Sequence, residues 1–161
     1  MESTRPRLIQ AVPLSTDSAP LLHQLYERSP AYFSLIGMEI PSLADVEQEV
    51  RTIQEDPRRR AQLLFHKGQV VGYLDYKLDY PEDGVATISL LLIEEACQRQ
   101  GLGTAVIEDL EEALKGQVKA LYAIVYGDNP VAKIFWIHRG FRHLKDGGPS
   151  VSWYAKRLSS P

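Results

Sequence analysis

Gln98-Arg99-Gln100-Gly101-Leu102-Gly103-Thr104 is the stretch whose reading decides the fold. Ahead of it, Ile88 to Ile93 is an apolar run that reads as a buried strand. Behind it, Ala105 to Lys115 reads as a helix. Leu102, Val106, Leu110 and Leu114 recur at helical spacing, with Glu108, Asp109, Glu111 and Glu112 mostly on the other side. Lys115 suits the last turn, and Gly116 suits the position just past the end. Two glycines therefore lie where a strand becomes a helix. Glycine lets the backbone approach a ligand closely. A helix start presents unpaired N–H groups and the positive end of a dipole. Together these make a cradle for phosphate oxygens.

Two familiar phosphate loops are excluded. A dinucleotide fingerprint needs a third glycine or an alanine where the chain has Val106, and the Walker pattern occurs nowhere. What remains is Q/R-x-x-G-x-G/A, met by Gln98, Gly101 and Gly103.

Working outward, the chain predicts a strand over Arg7 to Val12 and a helix capped by Thr16 or Asp17 and running to about Arg28. Pro20 falls in its first turn, and Leu21, Leu22, Leu25 and Tyr26 on its buried side. Ser29-Pro30 stops it. Ala31 to Met38 is apolar and aromatic without clear periodicity. Ser42-Leu43-Ala44-Asp45 is a capping-box pattern opening a helix whose apolar stripe is Leu43, Val46, Val50 and Ile53, with Pro57 beyond its end. Ala61 to His66 and Gln69 to Tyr80 flank a Lys67-Gly68 hairpin turn. Pro81-Glu82-Asp83-Gly84 is a second turn, and Val85 to Ile93 a third strand. After the glycine loop and its helix come a strand over Ala120 to Tyr126, a helix over Val131 to Arg139 started by Asp128-Asn129-Pro130 and ended by Gly140, and a strand pair over Phe141 to Leu144 and Val151 to Leu158. Hairpins and a strand–helix–strand crossover together predict an α/β sandwich on a mixed sheet.

Composition sets the bounds. Hydrophobic residues at 44% and charged residues at 24% are ordinary for a globular protein, and 161 residues suffice for one substantial core, so a single domain over 1–161 is expected. With 18 Lys+Arg against 21 Asp+Glu the formal charge is −3, which argues against nucleic acid as the main partner. Cys97 is the one cysteine, so no internal disulfide can form, which suits a reducing, cytoplasmic setting. No signal peptide, membrane span or repeat is expected.

The glycine loop resembles the acetyl-CoA pyrophosphate loop of the GCN5-related N-acetyltransferases. A second segment, Asn129-x-x-Ala132-x-x-Phe135-Trp136-x-x-x-Gly140-Phe141, is similar to that family's N-x-x-A-x-x-F/L-Y-x-x-x-G-F motif. The two stand in the family's order, separated by a helix and a strand, and the order of elements is also the family's. The resemblance implies a mixed, mostly antiparallel central sheet flanked by helices, an acyl-CoA N-acyltransferase-like fold. It implies an acetyl-CoA-dependent transferase that acetylates an amine of a small molecule or peptide by direct attack, as monomer or homodimer, without metal or membrane. The alternative is a catalytically weak or inactive acyl-CoA-binding module.

By this resemblance the residues around coenzyme A are Gln98, Arg99, Gln100, Gly101, Leu102, Gly103 and Thr104 at the pyrophosphate, with main-chain groups of Leu91 and Ile93 along the pantetheine arm. Asn129, Ala132, Lys133, Phe135 and Trp136 follow from the second motif. The family's strand splays from its neighbour here, freeing main-chain groups. Tyr32, Phe33 and Tyr80 are the expected acceptor-binding residues.

Acetyl transfer to an amine needs a neutral amine, donors for the carbonyl oxygen and a proton for the leaving thiolate. The family commonly takes that proton from a tyrosine whose matching position here is Trp136, and an indole N–H is no practical acid. Tyr154 is the candidate acid, with Tyr126 or solvent as alternatives. Asp75 is the candidate base, with Asp79 weaker; an ordinary charge on a solvated strand face is the plainer reading of Asp75. His66 and His138 lack ligand spacing, Arg58-Arg59-Arg60 reads as a solvated loop entry, and Cys97 has no recognisable histidine partner.

Overall fold

Residues 8–158 are described in the computed structural model of the chain. In order, the elements are β1 (Gln10–Pro13), α1 (Ala19–Glu27), α2 (Pro30–Leu35), α3 (Leu43–Glu55), β2 (Arg59–His66), β3 (Gln69–Leu78), β4 (Val85–Ile93), α4 (Leu102–Leu114), β5 (Ala120–Tyr126), α5 (Pro130–His138), β6 (Arg142–Asp146) and β7 (Val151–Arg157). The expected first strand falls on β1, and Arg7 lies outside the described residues.

Seven strands form one sheet in the order β1-β2-β3-β4-β5-β7-β6. Every neighbouring pair is antiparallel except β4 and β5. Those two are parallel because α4 carries the chain back along the sheet between them. The β2–β3 turn is the expected one: Lys67 and Gly68 both have positive φ, 52° and 78°, the geometry of a two-residue hairpin turn. Ser42 and Asp45 form the reciprocal cap, with Asp45 N donating to Ser42 Oγ (3.1 Å) and Ser42 N to Asp45 Oδ2 (3.2 Å).

Apolar side chains cover both faces of the sheet. Leu22, Leu25, Val46 and Val50 from α1 and α3 pack on Leu63 and Tyr73 on one face. Ile107 and Leu110 of α4 and Trp136 of α5 pack on Leu74, Ile88 and Leu121 on the other. Burying one such side chain contributes about 1.5–3 kcal/mol, so these faces fix which way each strand points.

Two expectations fail locally, and a third holds but is incomplete. Leu21 is exposed, because α1 buries Leu22, Leu25 and Tyr26, whose spacing turns Leu21 outward. Leu43 is exposed in the first turn of α3, ahead of the buried stripe Val46, Val50 and Ile53. Ser29-Pro30 begins a helix as well as ending one. The Ser29 hydroxyl donates to Leu25 O (2.8 Å), closing α1, while Pro30 starts α2, where its fixed φ suits the first turn.

Two irregularities in the sheet position everything that follows. Asp75 on β3 sits opposite Leu90 on β4, and Tyr76 opposite Ile88, so Ser89 is an extra residue in the β4 strand, a β-bulge. The parallel β4–β5 pairing runs from Val85 opposite Ala120 to Ile88 opposite Ala123 and stops there. Beyond Ile88, β4 stays on β3 as far as Ile93, while β5 stays on β7 as far as Tyr126. The sheet forks at its centre.

Candidate active site

The glycine loop closes one end of the fork. A single 3-10 turn, Glu95–Cys97, leads into Gln98, whose side-chain amide donates to Ile93 O at the end of β4 (2.9 Å). Arg99 (φ 67°) and Gly101 (φ 75°) both adopt the left-handed region. Gly101 does so without the strain that a side chain would bring. A Cβ built there meets nothing within 4 Å, so the space beside this residue is open. α4 starts at Leu102 with no side-chain cap, leaving its first N–H groups without a capping acceptor. A phosphate group fits these features: N–H donors, a positive helix end and room beside a glycine.

Gly103 has a different reason to be glycine. Its Cβ would meet the Phe135 ring at 3.3 and 3.4 Å, so it lets α4 and α5 approach each other. Asn129 is likewise structural: its side-chain oxygen accepts from Ala132 N (3.1 Å) and caps α5.

Two cavities meet at the fork. The larger, about 650 Å³, runs from the loop along β4 and α5. Leu91, Ile93, Gln98, Arg99, Gly101, Leu102, Gly103, Thr104, Asn129, Ala132, Phe135 and Trp136 all line it. Gln100 and Lys133 do not. Lys133 follows Ala132 in α5 and so turns away from the cavity face formed by Ala132, Phe135 and Trp136, which recur at i, i+3 and i+4. Trp136 is 4% exposed and stacked edge-on against Phe135 (5.0 Å) and Phe141 (4.9 Å), a rigid wall.

The smaller cavity, about 440 Å³, lies on the side of α2 and β3. Tyr32, Tyr80 and Asp75 line it. Phe33 lines neither cavity. It is buried against Tyr26 (5.1 Å) and Tyr32 (5.3 Å). Successive residues of a helix do not share a face, so α2 sends Tyr32 to the cavity and Phe33 to the core. Tyr154 is also misplaced by the sequence reading. It pairs with Ala123, the last β5 residue joined to β4, so it lies below the fork, buried against His143 (5.6 Å).

Asp75 is 5% exposed. One carboxylate oxygen is paired with Arg59, and the other, Oδ1, has no hydrogen-bond partner. Burial raises its pKa, and the Arg59 guanidinium opposes that rise. Arg59 is therefore part of the cavity wall rather than a solvated loop entry. Nearby, Lys77 Nζ pairs with Asp56 Oδ2 (2.9 Å), so both cations here are matched by carboxylates.

Tyr32, Ser89, Leu90, Ile124 and Tyr126 line both cavities. The Ser89 hydroxyl donates to Asp75 O (3.2 Å), which leaves the phenols of Tyr32 and Tyr126 as the uncommitted hydroxyls at the junction. Burial, and then the neighbouring Tyr126, push the Tyr32 phenol up to about 12; burial also raises Tyr126. Both keep their protons at neutral pH. The bulge and the roles of Ser89, Arg59 and Lys77 have no signal in the sequence; Tyr126 does, as a tyrosine ending the strand that forms the fork.

The two sides of the junction are tied together. Arg28 Nε pairs with Glu94 Oε1 (2.9 Å), and Ala31 N donates to Glu95 Oε1 (2.8 Å), fastening α2 to the segment that enters the glycine loop. Cys97 lines the larger cavity, and burial and the Glu94 carboxylate raise its thiol pKa, which favours the protonated thiol at neutral pH. His66 Nδ1 meets Leu8 O (2.9 Å) at the sheet edge. Among the described residues no cluster of His, Cys, Asp and Glu could hold a metal ion, and no helix is long and apolar enough to cross a membrane.

The site is thus a fork in a mixed sheet, closed by a glycine loop at a helix start. The family model described as the acetyltransferase (GNAT) family matches residues 22–141, and the chain belongs to that family. An acetyltransferase from Thermus thermophilus is similar at 51% identity and a TM-score of 0.90, covering 93% of this chain and 97% of that one. An acetyltransferase from Salmonella typhimurium that modifies the N-terminal serine of ribosomal protein L7/L12 shares the fold at 17% identity and a TM-score of 0.80, over 96% of this chain and 97% of that one. PaiA N-acetyltransferase from Thermoplasma acidophilum, solved with coenzyme A, shares it at 16% identity and a TM-score of 0.72, over 92% and 98%. No curated protein matches the sequence. The chain is thus an N-acetyltransferase of that family.

Proposed function

We propose that the chain acetylates a primary amine of a small molecule or peptide, held in the smaller cavity, by direct attack on a thioester held over the fork. The meeting of the two cavities at Ser89, Leu90 and Tyr126 carries this reading. In it, the open space at Gly101 and the free N–H groups of α4 take the pyrophosphate. The β4 main chain beyond Ile88, which β5 leaves unpaired, takes the amide groups of the pantetheine arm and offers N–H donors to the thioester carbonyl as charge builds there. Acetyl-CoA supplies the activated acyl group; the chain's residues orient the amine and manage protons.

Asp75, with one oxygen unpartnered, takes the proton that the amine must lose. Tyr126 replaces Tyr154 as the donor to the departing sulfur, because it reaches the junction and Tyr154 does not. Trp136, in the place where the family commonly has a tyrosine, walls the cavity. Tyr126→Phe is expected to lower kcat by about 10²-fold or more, the low end of a general-acid contribution, with coenzyme A affinity unchanged. An unaltered kcat would remove Tyr126 from the chemistry.

The reading is tested by a thiol-release screen over small primary amines and peptide N-termini. Turnover on at least one class is the expected result. The second reading, an acyl-CoA-binding module with little activity, is favoured by Trp136. Coenzyme A binding with no turnover on any amine would support it against the first.

A further inference from the structure

Arg139 follows α5, and its guanidinium reaches across to the first turn of α4. Nη1 donates to the Thr104 hydroxyl, and the guanidinium lies 5.7 Å from the centre of the Phe135 ring. Among the described residues no carboxylate pairs with Arg139. A cation is therefore held beside the positive end of a helix, which the helix dipole disfavours. The C-terminal end of α5 offsets part of that cost, but its carbonyls do not take the guanidinium's contact with Thr104. The remaining imbalance is removed when an anion sits at the start of α4.

The hydrogen-bond chemistry points the same way. A guanidinium only donates, so Thr104 Oγ1 must accept from it. The hydroxyl proton of Thr104 is then free to go to another oxygen. Thr104 lines the larger cavity, and no described residue accepts that proton. The Arg139 charge also polarises the hydroxyl, making it a stronger donor.

We propose that Arg139 is a positioning residue for the cofactor's pyrophosphate, acting through Thr104, whose hydroxyl it turns and polarises toward a phosphate oxygen. This rests on the reading that the pyrophosphate lies at the start of α4. Gly101 and the helix N–H groups give the anion its place, and the Arg139–Thr104 pair adds a directed donor backed by a full charge.

The test needs no acceptor amine. Calorimetry would measure coenzyme A and dephospho-coenzyme A, which keeps the pyrophosphate and lacks the 3′-phosphate, against wild type, Arg139→Gln, Thr104→Val, Thr104→Ser and the double variant Arg139→Gln with Thr104→Val. Each of the first two single changes should weaken both ligands about tenfold, the weight of one hydrogen bond to a charged oxygen. The double variant should lose little more than either single change, because both remove the same donor. Thr104→Ser, which keeps the hydroxyl, should bind like wild type, and unliganded melting temperatures should stay level across the set. Unchanged affinity in Arg139→Gln or Thr104→Val overturns the proposal. So does a loss seen with coenzyme A and absent with dephospho-coenzyme A, which would put Arg139 on the 3′-phosphate. If wild type binds neither ligand, the cofactor reading itself fails and this one with it. Should either larger change fail to fold, tight binding by Thr104→Ser with weakened binding by Arg139→Lys decides for the proposal, and equal binding by both decides against it.

Discussion

Replacing Gly101 by valine should separate binding from folding. The native φ of 75° places a branched side chain in the left-handed region, at a cost of about 1–3 kcal/mol. The change also removes conformational freedom from the unfolded chain, which returns about 0.4–1 kcal/mol. No steric cost is added at the first side-chain carbon, since a Cβ there meets no protein atom within 4 Å. The net destabilisation is then at most about 2.6 kcal/mol, or a fall of no more than roughly 10 °C in Tm for a chain of this size. A domain stable by about 5–15 kcal/mol survives that. Binding does not survive it, because the side chain enters the space that phosphate oxygens need. Losing two charge-assisted hydrogen bonds at about 1.5–3 kcal/mol each weakens coenzyme A by at least about 100-fold. Circular-dichroism melting and calorimetry on one preparation check both halves. Wild-type affinity in this variant would refute the loop assignment, and an unfolded protein at 25 °C would refute the claim of open space.

Asp75→Asn should abolish most turnover while coenzyme A still binds. On the proposed reading, the acid limb of kcat/KM in wild type belongs to Asp75 losing its proton. Its raised pKa places that limb above the usual carboxylate range of about 4, so activity falls as pH drops through the raised value. A limb that persists in Asp75→Asn assigns it to another group. Trp136→Phe leaves a gap beside Phe135 and Phe141 and should loosen coenzyme A and lower kcat, whereas Trp136→Tyr should give no large gain. A rise of about 10²-fold or more in Trp136→Tyr would show a native protein short of an acid and favour the binding-module reading. Cys97→Ala should retain kcat, because in the proposed direct attack no covalent step passes through the thiol; lost turnover with intact cofactor binding would count against direct attack.

Much of the architecture is legible because it is written in local signals. The Val85–Ile93 and Ala120–Tyr126 strands are apolar runs bounded by turn residues, and their limits match the structure. The Ser42 cap and the Lys67-Gly68 turn depend on residues adjacent in sequence. α2 escapes a sequence reading because six residues give too short a window for helical periodicity, and because Pro30 reads equally as a stop or a start. The larger cavity follows the motifs closely. The acceptor side does not: which of Tyr32 and Phe33 faces the cavity depends on how α2 rolls against the sheet. Tyr126 and Tyr154 are tyrosines on the neighbouring strands β5 and β7, and only the height at which β4 and β5 part distinguishes them. The parting comes directly after Ile88, beside the Ser89 bulge in the β3–β4 pairing, and neither is announced by any residue type.

The half-paired β4 strand has a consequence for how this sequence can change. Along Leu90 to Ile93 the strand is held by β3 on one side, while β5 leaves its other rim unpaired. On the proposed reading the cofactor's arm is recognised there by atoms that every amino acid except proline possesses. Substitutions such as Leu91→Val alter packing beneath the ligand and leave the recognised pattern intact, whereas a proline at the same place deletes it. Tolerance to drift is therefore uneven along the site: broad where the ligand reads main chain, narrow at Gly101, where it needs the absence of a side chain.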